Sequence, residues 1–136
     1  MRPARFTDFV IDLAKNSPTA SRVRTLAEAG GYDPHLKGAV IATAAGESRW
    51  QFIGQLAPGE KHEHADTPAT GTPVPVGAGP EPSDSPEAWL AATVARAESP
   101  EIASIERWST REGERPGYFG MTVVFHNGAR IFARQL

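Results

Sequence analysis

The stretch Tyr118–Gln135, YFGMTVVFHNGARIFARQ, carries the clearest structural signal in the 136-residue chain. Tyr118–Phe125 and Ala129–Gln135 are rich in β-branched and aromatic residues, the composition of strands. Between them Asn127-Gly128 tolerates positive φ at both positions, so the spacing predicts a hairpin closed by a two-residue type I′ turn. Such a turn sets Phe125 opposite Arg130, Val124 opposite Ile131 and Val123 opposite Phe132. On that register Phe119, Met121, Val123 and Phe125 share a face with Arg130, Phe132 and Arg134. The other face carries the smaller Thr122, Val124, His126, Ala129, Ile131 and Ala133. Neither face alternates polar against apolar, so both are expected to lie against another layer. Phe125, Arg130, Phe132 and Arg134 form the candidate interface.

Working outward, Ile102–Arg111 reads as the first strand of a three-stranded antiparallel meander, and Glu112–Gly117 as a charged turn. Ser85-Pro86-Glu87 pairs an N-cap with a proline in the first turn, opening a helix with Trp89, Leu90, Val94 and Ala97 inward. Upstream, Ala57–Pro86 differs in kind. Seven of the 12 prolines and four glycines fall within these 30 residues, with no periodic apolar pattern. Proline removes backbone donors, so neither a helix nor a central strand is expected. In isolation this segment reads as a mobile arm leaning to polyproline II, of the length that is usually functional or disordered.

In the N-terminal part, Phe6, Phe9, Val10, Leu13 and Ala14 recur at helical spacing, predicting a helix over Ala4–Lys15. Pro18–Ala29 reads as a second helix, with Ala20, Val23, Leu26 and Ala27 inward and Gly30-Gly31 as its stop. Asp33-Pro34 and Gly46 bracket a third helix through Leu36, Ala39, Val40, Thr43 and Ala44. Its rival is a buried strand, because the run Ala39-Val40-Ile41-Ala42 is too short for periodicity to arbitrate. Arg49–Leu56 reads as a strand with Trp50, Phe52 and Gly54 alternating against Gln51, Ile53 and Gln55. The expected fold is α+β and a single domain over 1–136: three helices and a strand (1–56), the arm (57–86), then a helix and a meander (87–136). The strand at 49–56 is a candidate fourth member of the sheet. No internal repeat is visible.

Composition bounds the function. Hydrophobic residues make up 40% and charged residues 22%, near globular averages. A net charge of −2 argues against a protein whose main task is coating nucleic acid or an anionic membrane. The charge is unevenly placed: residues 57–101 hold two Lys/Arg against eight Asp/Glu, whereas each flanking part carries a small basic excess. With no cysteine there is no disulfide, thiol nucleophile or cysteine zinc site. No apolar run approaches the roughly 18 residues of a membrane span. MRPARFTDFVIDLAK lacks the apolar core of a signal peptide, so a cytoplasmic or virion-associated protein is expected rather than a secreted one. Eleven arginines against three lysines suit a GC-rich bacterial or phage genome.

Motif chemistry is sparse. His62, His64 and Asp66 are the weak metal candidates, since alternate histidines on an extended chain point one way. The phrase Leu56-Ala57-Pro58-Gly59 before His62-Glu63-His64 resembles the metal-binding loop of cupins, but the glycine-to-histidine spacing is shorter and no matching carboxylate strand follows. Ser48 lacks the second glycine of a nucleophile elbow, and no Gly-Lys-Ser/Thr phosphate loop is present. His126, beside the turn, has no carboxylate placed near it by sequence. No catalytic residue and no cofactor are assigned, and a non-enzymatic protein is expected.

Thr25–Leu36 resembles a helix-turn-helix, with Ala27, Gly31 and Tyr32 at its turn positions and Val40 at a later core position. Gly30 and Lys37 depart from the pattern. The resemblance implies DNA binding, with Arg22, Arg24 and Lys37 as contacts. The leading expectation is instead a structural or adaptor subunit of a bacterial or phage assembly, its partner another protein or further copies of itself, engaged through the arm and the Phe/Arg hairpin face.

Overall fold

The computed structural model describes residues 1–111, 113 and 117–136. Among them the order is α1 (Pro3–Lys15), β1 (Ala20–Thr25), α2 (Leu26–Ala29), β2 (Gly38–Thr43), β3 (Gly46–Gln55), α3 (Pro86–Arg96), β4 (Ile102–Arg107), β5 (Gly120–Phe125) and β6 (Arg130–Gln135). A 3-10 turn at Trp108–Thr110 follows β4. The strands form one six-stranded antiparallel sheet in the order β1-β2-β3-β6-β5-β4. The expected fold is therefore wrong in two respects: one full helix, not three, precedes the strands, and the meander β4-β5-β6 is half of a six-stranded sheet rather than a three-stranded sheet.

Both corrections fall between residues 18 and 45. Across Arg22-Val23-Arg24 the side chains alternate, and Val23 packs against the core. The apparent helical spacing of Ala20, Val23 and Leu26 is equally the spacing of a strand that runs into a short helix. That helix starts at Leu26, where the chain carries a reciprocal cap. Thr25 Oγ1 accepts from the Glu28 amide at 3.0 Å and Glu28 Oε1 accepts from the Thr25 amide at 2.9 Å. Residues 38–43 are the buried strand, not the third helix. Ala39, Val40 and Ile41 are all buried, as a strand in the sheet interior requires. Gly46, expected as a helix stop, instead faces Thr43 across the β2–β3 hairpin at φ +115°.

A further correction is a register. Phe125 faces Ala129, not Arg130: the Phe125 amide donates to Ala129 O at 2.9 Å, and the Gly128 amide to Phe125 O at 2.9 Å. The loop therefore holds three residues, His126-Asn127-Gly128, with Gly128 at φ +90°. This is a type I turn followed by a glycine bulge rather than a type I′ turn. Asn127 Oδ1 fixes it by accepting from the Ala129 amide at 2.9 Å. The slip of one residue turns β6 over relative to β5. Met121, Val123, Phe125, Ala129, Ile131 and Ala133 now share the buried face, and Thr122, Val124, Arg130, Phe132 and Arg134 the opposite one. The strand expected over 102–111 stops at Arg107; Glu112 and Glu114–Pro116 of the charged turn lie outside the described residues.

Both long helices cover the same face. Phe6 of α1 sits at the centre, its ring 5.0 Å from Phe52 in a T-shaped contact and 6.4 Å from Phe125. Trp89, Leu90 and Val94 of α3 join that cluster. The three tryptophan N–H groups are all bonded, Trp50 to Ser48 Oγ at 2.9 Å, Trp89 to Thr19 Oγ1 at 2.8 Å and Trp108 to Thr122 Oγ1 at 2.9 Å. Ser48 is thus a core relay, donating in turn to Ile41 O. Glu87 ties α3 to the sheet. Its carboxylate is 1% exposed and accepts from Arg107 Nε at 3.0 Å, the Gly120 amide at 2.9 Å, and the amide and hydroxyl of Ser109. Burial alone would raise its pKa; the donors from Ser109, Gly120 and Arg107 outweigh burial and hold the group ionised below its ordinary value.

The strand order has a consequence that no sequence self-similarity announces. Helix, strand, short helical turn, strand and strand occur twice, over 3–55 and 86–135, and the halves meet where β3 pairs β6. The intervening arm is fastened to its own domain. Arg5 donates to both Asp66 oxygens at 3.0 and 3.1 Å and to both Glu101 oxygens at 2.9 and 2.7 Å. Arg2 reaches Glu60 at 3.2 Å. Further along, the His126 ring bonds Thr72 O at 3.0 Å, and any side chain at Gly71 would strike that ring. The acids Glu60 and Asp66 of the arm are complementary to the basic start of α1.

Candidate interaction face

The side of the sheet away from α1 and α3 is the candidate site. Strand alternation places Arg22 and Arg24 of β1, Val40 of β2, Arg49, Gln51 and Ile53 of β3, and Arg130, Phe132 and Arg134 of β6 on it. At the β1–β2 end Tyr32 folds over this side. Arg49 donates to the Tyr32 hydroxyl at 3.2 Å and its guanidinium lies 5.7 Å from the ring centre. Val40, opposite Arg49 across the strands, is 2% exposed.

The β4–β5 end is walled in a comparable way. Trp108 lies against Gly120, where an added Cβ would sit 2.5 Å from the indole and from Ala133 O. Tyr118 stacks on Trp108 at 5.1 Å and 13°, and the Arg111 guanidinium lies 5.5 Å from the indole. Between the two ends, over β3 and β6, the floor stays open. Ile53 faces Phe132 directly, and the pair borders a recess of about 380 Å³ whose far wall is Trp108 and Tyr118. Ile53 is 41% and Tyr118 45% exposed.

Charge on this face is lopsided. Glu47 is shared by Arg24 at 3.9 Å and Arg49 at 3.0 Å, and Glu106 is taken by Arg111 at 3.3 Å. Among the described residues Arg22, Arg130 and Arg134 are exposed and form no ion pair. The middle of the face is an apolar pair between two uncompensated cations.

Of the candidate residues, the structure brings Arg130, Phe132 and Arg134 together with Arg22 and Arg24. It removes Phe125, which is 3% exposed in the core. It also removes Lys37, which lines a recess with Thr7 and Asp8 of α1 on the helical side. The helix-turn-helix is corrected with the fold, because the segment that would hold its two helices contains β1 and β2. His62, His64 and Asp66 do not converge. Asp66 is saturated by Arg5, the Arg2 amide and the Met1 amine, while His64 Nδ1 accepts from the Lys61 amide at 3.1 Å. The Arg5 guanidinium holds the Asp66 carboxyl down to about 2. Among the described residues no group of three potential ligands gathers as a metal site would need, and no helix is long and apolar enough to cross a membrane.

Ile53, Trp108 and Tyr118 were not among the candidates. The alternation of Arg49–Leu56 already put Ile53 on the side opposite Trp50, but the two aromatics at the wall come from a connection with no local signature. No protein family, curated protein or solved structure matches this chain.

Proposed function

We propose that the chain is a non-catalytic adaptor subunit, of a bacterial or phage assembly, that holds a protein partner on the open face of its sheet. The observation that carries this reading is the apolar Ile53–Phe132 pair on the central strands, Ile53 exposed and Phe132 half-buried, flanked by Arg130 and Arg134, which form no ion pair among the described residues. A sheet face left to water is ordinarily polar throughout, and an apolar centre with a charged rim is the anatomy of a binding surface. A second copy docked face to face around Phe132 would set these arginines against each other with no acid between them. The partner is therefore a different protein. The arm is not taken as the contact, since two of its acids, Glu60 and Asp66, and its backbone at Gly71 and Thr72 are engaged by its own domain.

A photo-reactive amino acid placed at position 132, with a control at Asp8 on the helical side, tests this in the cells that make the protein. The reading expects an adduct of one defined mass from position 132 and none from position 8. Equal labelling from both positions, or none from either, would overturn it.

A further inference from the structure

Resting on that reading, we infer that the partner presents an extended acidic segment, with an apolar side chain between two carboxylates, laid along β6. Arg130, Phe132 and Arg134 are alternate residues of one strand and project from the same face. At the strand rise of about 3.3 Å per residue, the two arginines stand about 13 Å apart with Phe132 midway. A partner in extended conformation repeats the same pitch. Carboxylates at alternate positions on either side of an apolar residue therefore meet both guanidinium groups while that residue rests on Phe132 and Ile53. Arginine forks favour such planar, bidentate recognition of carboxylates. No acid stands directly across from either arginine: the neighbours are Gln51 and Gly120 beside Arg134, and Gln55 and Val124 beside Arg130.

Nucleic acid offers anions too, and Phe132 could stack a base. Two observations favour the acidic peptide. The chain carries a net charge of −2 and a pI near 6.1, where nucleic-acid modules are typically strongly basic. The basic side chains also do not form a continuous track, because Arg24 and Arg49 are already tied to Glu47.

Fluorescence anisotropy with the full chain decides between them, using three labelled probes. One is a short peptide in which glutamates flank a phenylalanine at alternate positions, the second its lysine counterpart, the third a single-stranded oligothymidine. The acidic peptide should bind, weaken as salt rises, and lose at least about tenfold in affinity against the double variant Arg130→Glu/Arg134→Glu. That variant should in turn take up the lysine peptide, a gain that misfolding would not produce. Phe132→Ser should weaken the acidic peptide while leaving its salt dependence intact. Equal binding of both peptides, binding unaffected by the double reversal, or tighter binding of the oligonucleotide would overturn the inference. An adduct at position 132 in cells together with a silent acidic peptide would sink this inference alone and leave the adaptor reading standing.

Discussion

The two sides of the sheet are built from the same strands and have opposite fates. On β6, Ile131 and Ala133 have no exposed surface, while Arg130 and Arg134 beside them are exposed. On β3, Trp50 and Phe52 lie under α1, and Ile53 faces out at 41% exposure. Because successive side chains of a strand point oppositely, a single strand supplies the core with one set of residues and a partner with the other. Substitutions on the covered side should thus cost stability, and those on the open side should cost binding.

The sharpest way to break that division is at its covered centre. Phe6→Ala removes the ring packed against Phe52 and Phe125, and should destabilise the protein by about 3–5 kcal/mol in urea denaturation. A loss under about 1 kcal/mol would mean that the helical layer is not what buries this face. Next is Glu87→Ala, which strands the Arg107 guanidinium and three donors at the base of α3. Its expected cost is about 3 kcal/mol, recovered poorly by Glu87→Gln, which accepts through only one oxygen.

Smaller effects attend the arm. Asp66 has a folded pKa of about 2 against an ordinary 3.8, so it adds stability above the ordinary value and loses it as pH falls towards 2. Allowing for partial exposure this is about 1–2 kcal/mol. Asp66→Ala should therefore be less stable than the parent at pH 6, with the gap closing as pH falls through about 2. Protease cleavage within 57–85 should rise in parallel at neutral pH. The smallest effect belongs to the open side. Phe132→Asp should shift the stability of the free protein by no more than about 0.5 kcal/mol while abolishing the adduct formed from a photo-reactive residue at the facing position 53. A large loss of stability there would show that the face is core and not a docking surface.

The same alternation explains how much of the molecule was legible beforehand. Pro3–Lys15 and Pro86–Arg96 announce themselves through helical spacing, the second also through a proline in the first turn, and residues 49–55 of β3 through strict alternation. Thr25-Leu26-Ala27-Glu28 held the reciprocal cap that marks where the first short helix begins, but a longer apolar period running through Ala20 and Val23 masked it. For the candidate face, Arg130, Phe132 and Arg134 were visible as a group. Placing Phe125 with them depended on whether the hairpin loop holds two residues or three, and Asn127-Gly128 serves both.

By itself, the sequence determined the two long helices, four strands, the proline-rich connection and an acidic middle between basic ends. These follow from local spacing, capping and backbone stereochemistry, which need no distant partner. Only the tertiary structure decided that 20–25 and 38–43 are strands, that β3 pairs β6 to join two similar halves, and that the hairpin slips by one residue. The strand pairings turn on hydrogen bonds and burial between separate segments, and the slip on which face of β6 the core covers. A short apolar run has the same local pattern whether it coils or extends, so its fate is set by whatever packs beside it.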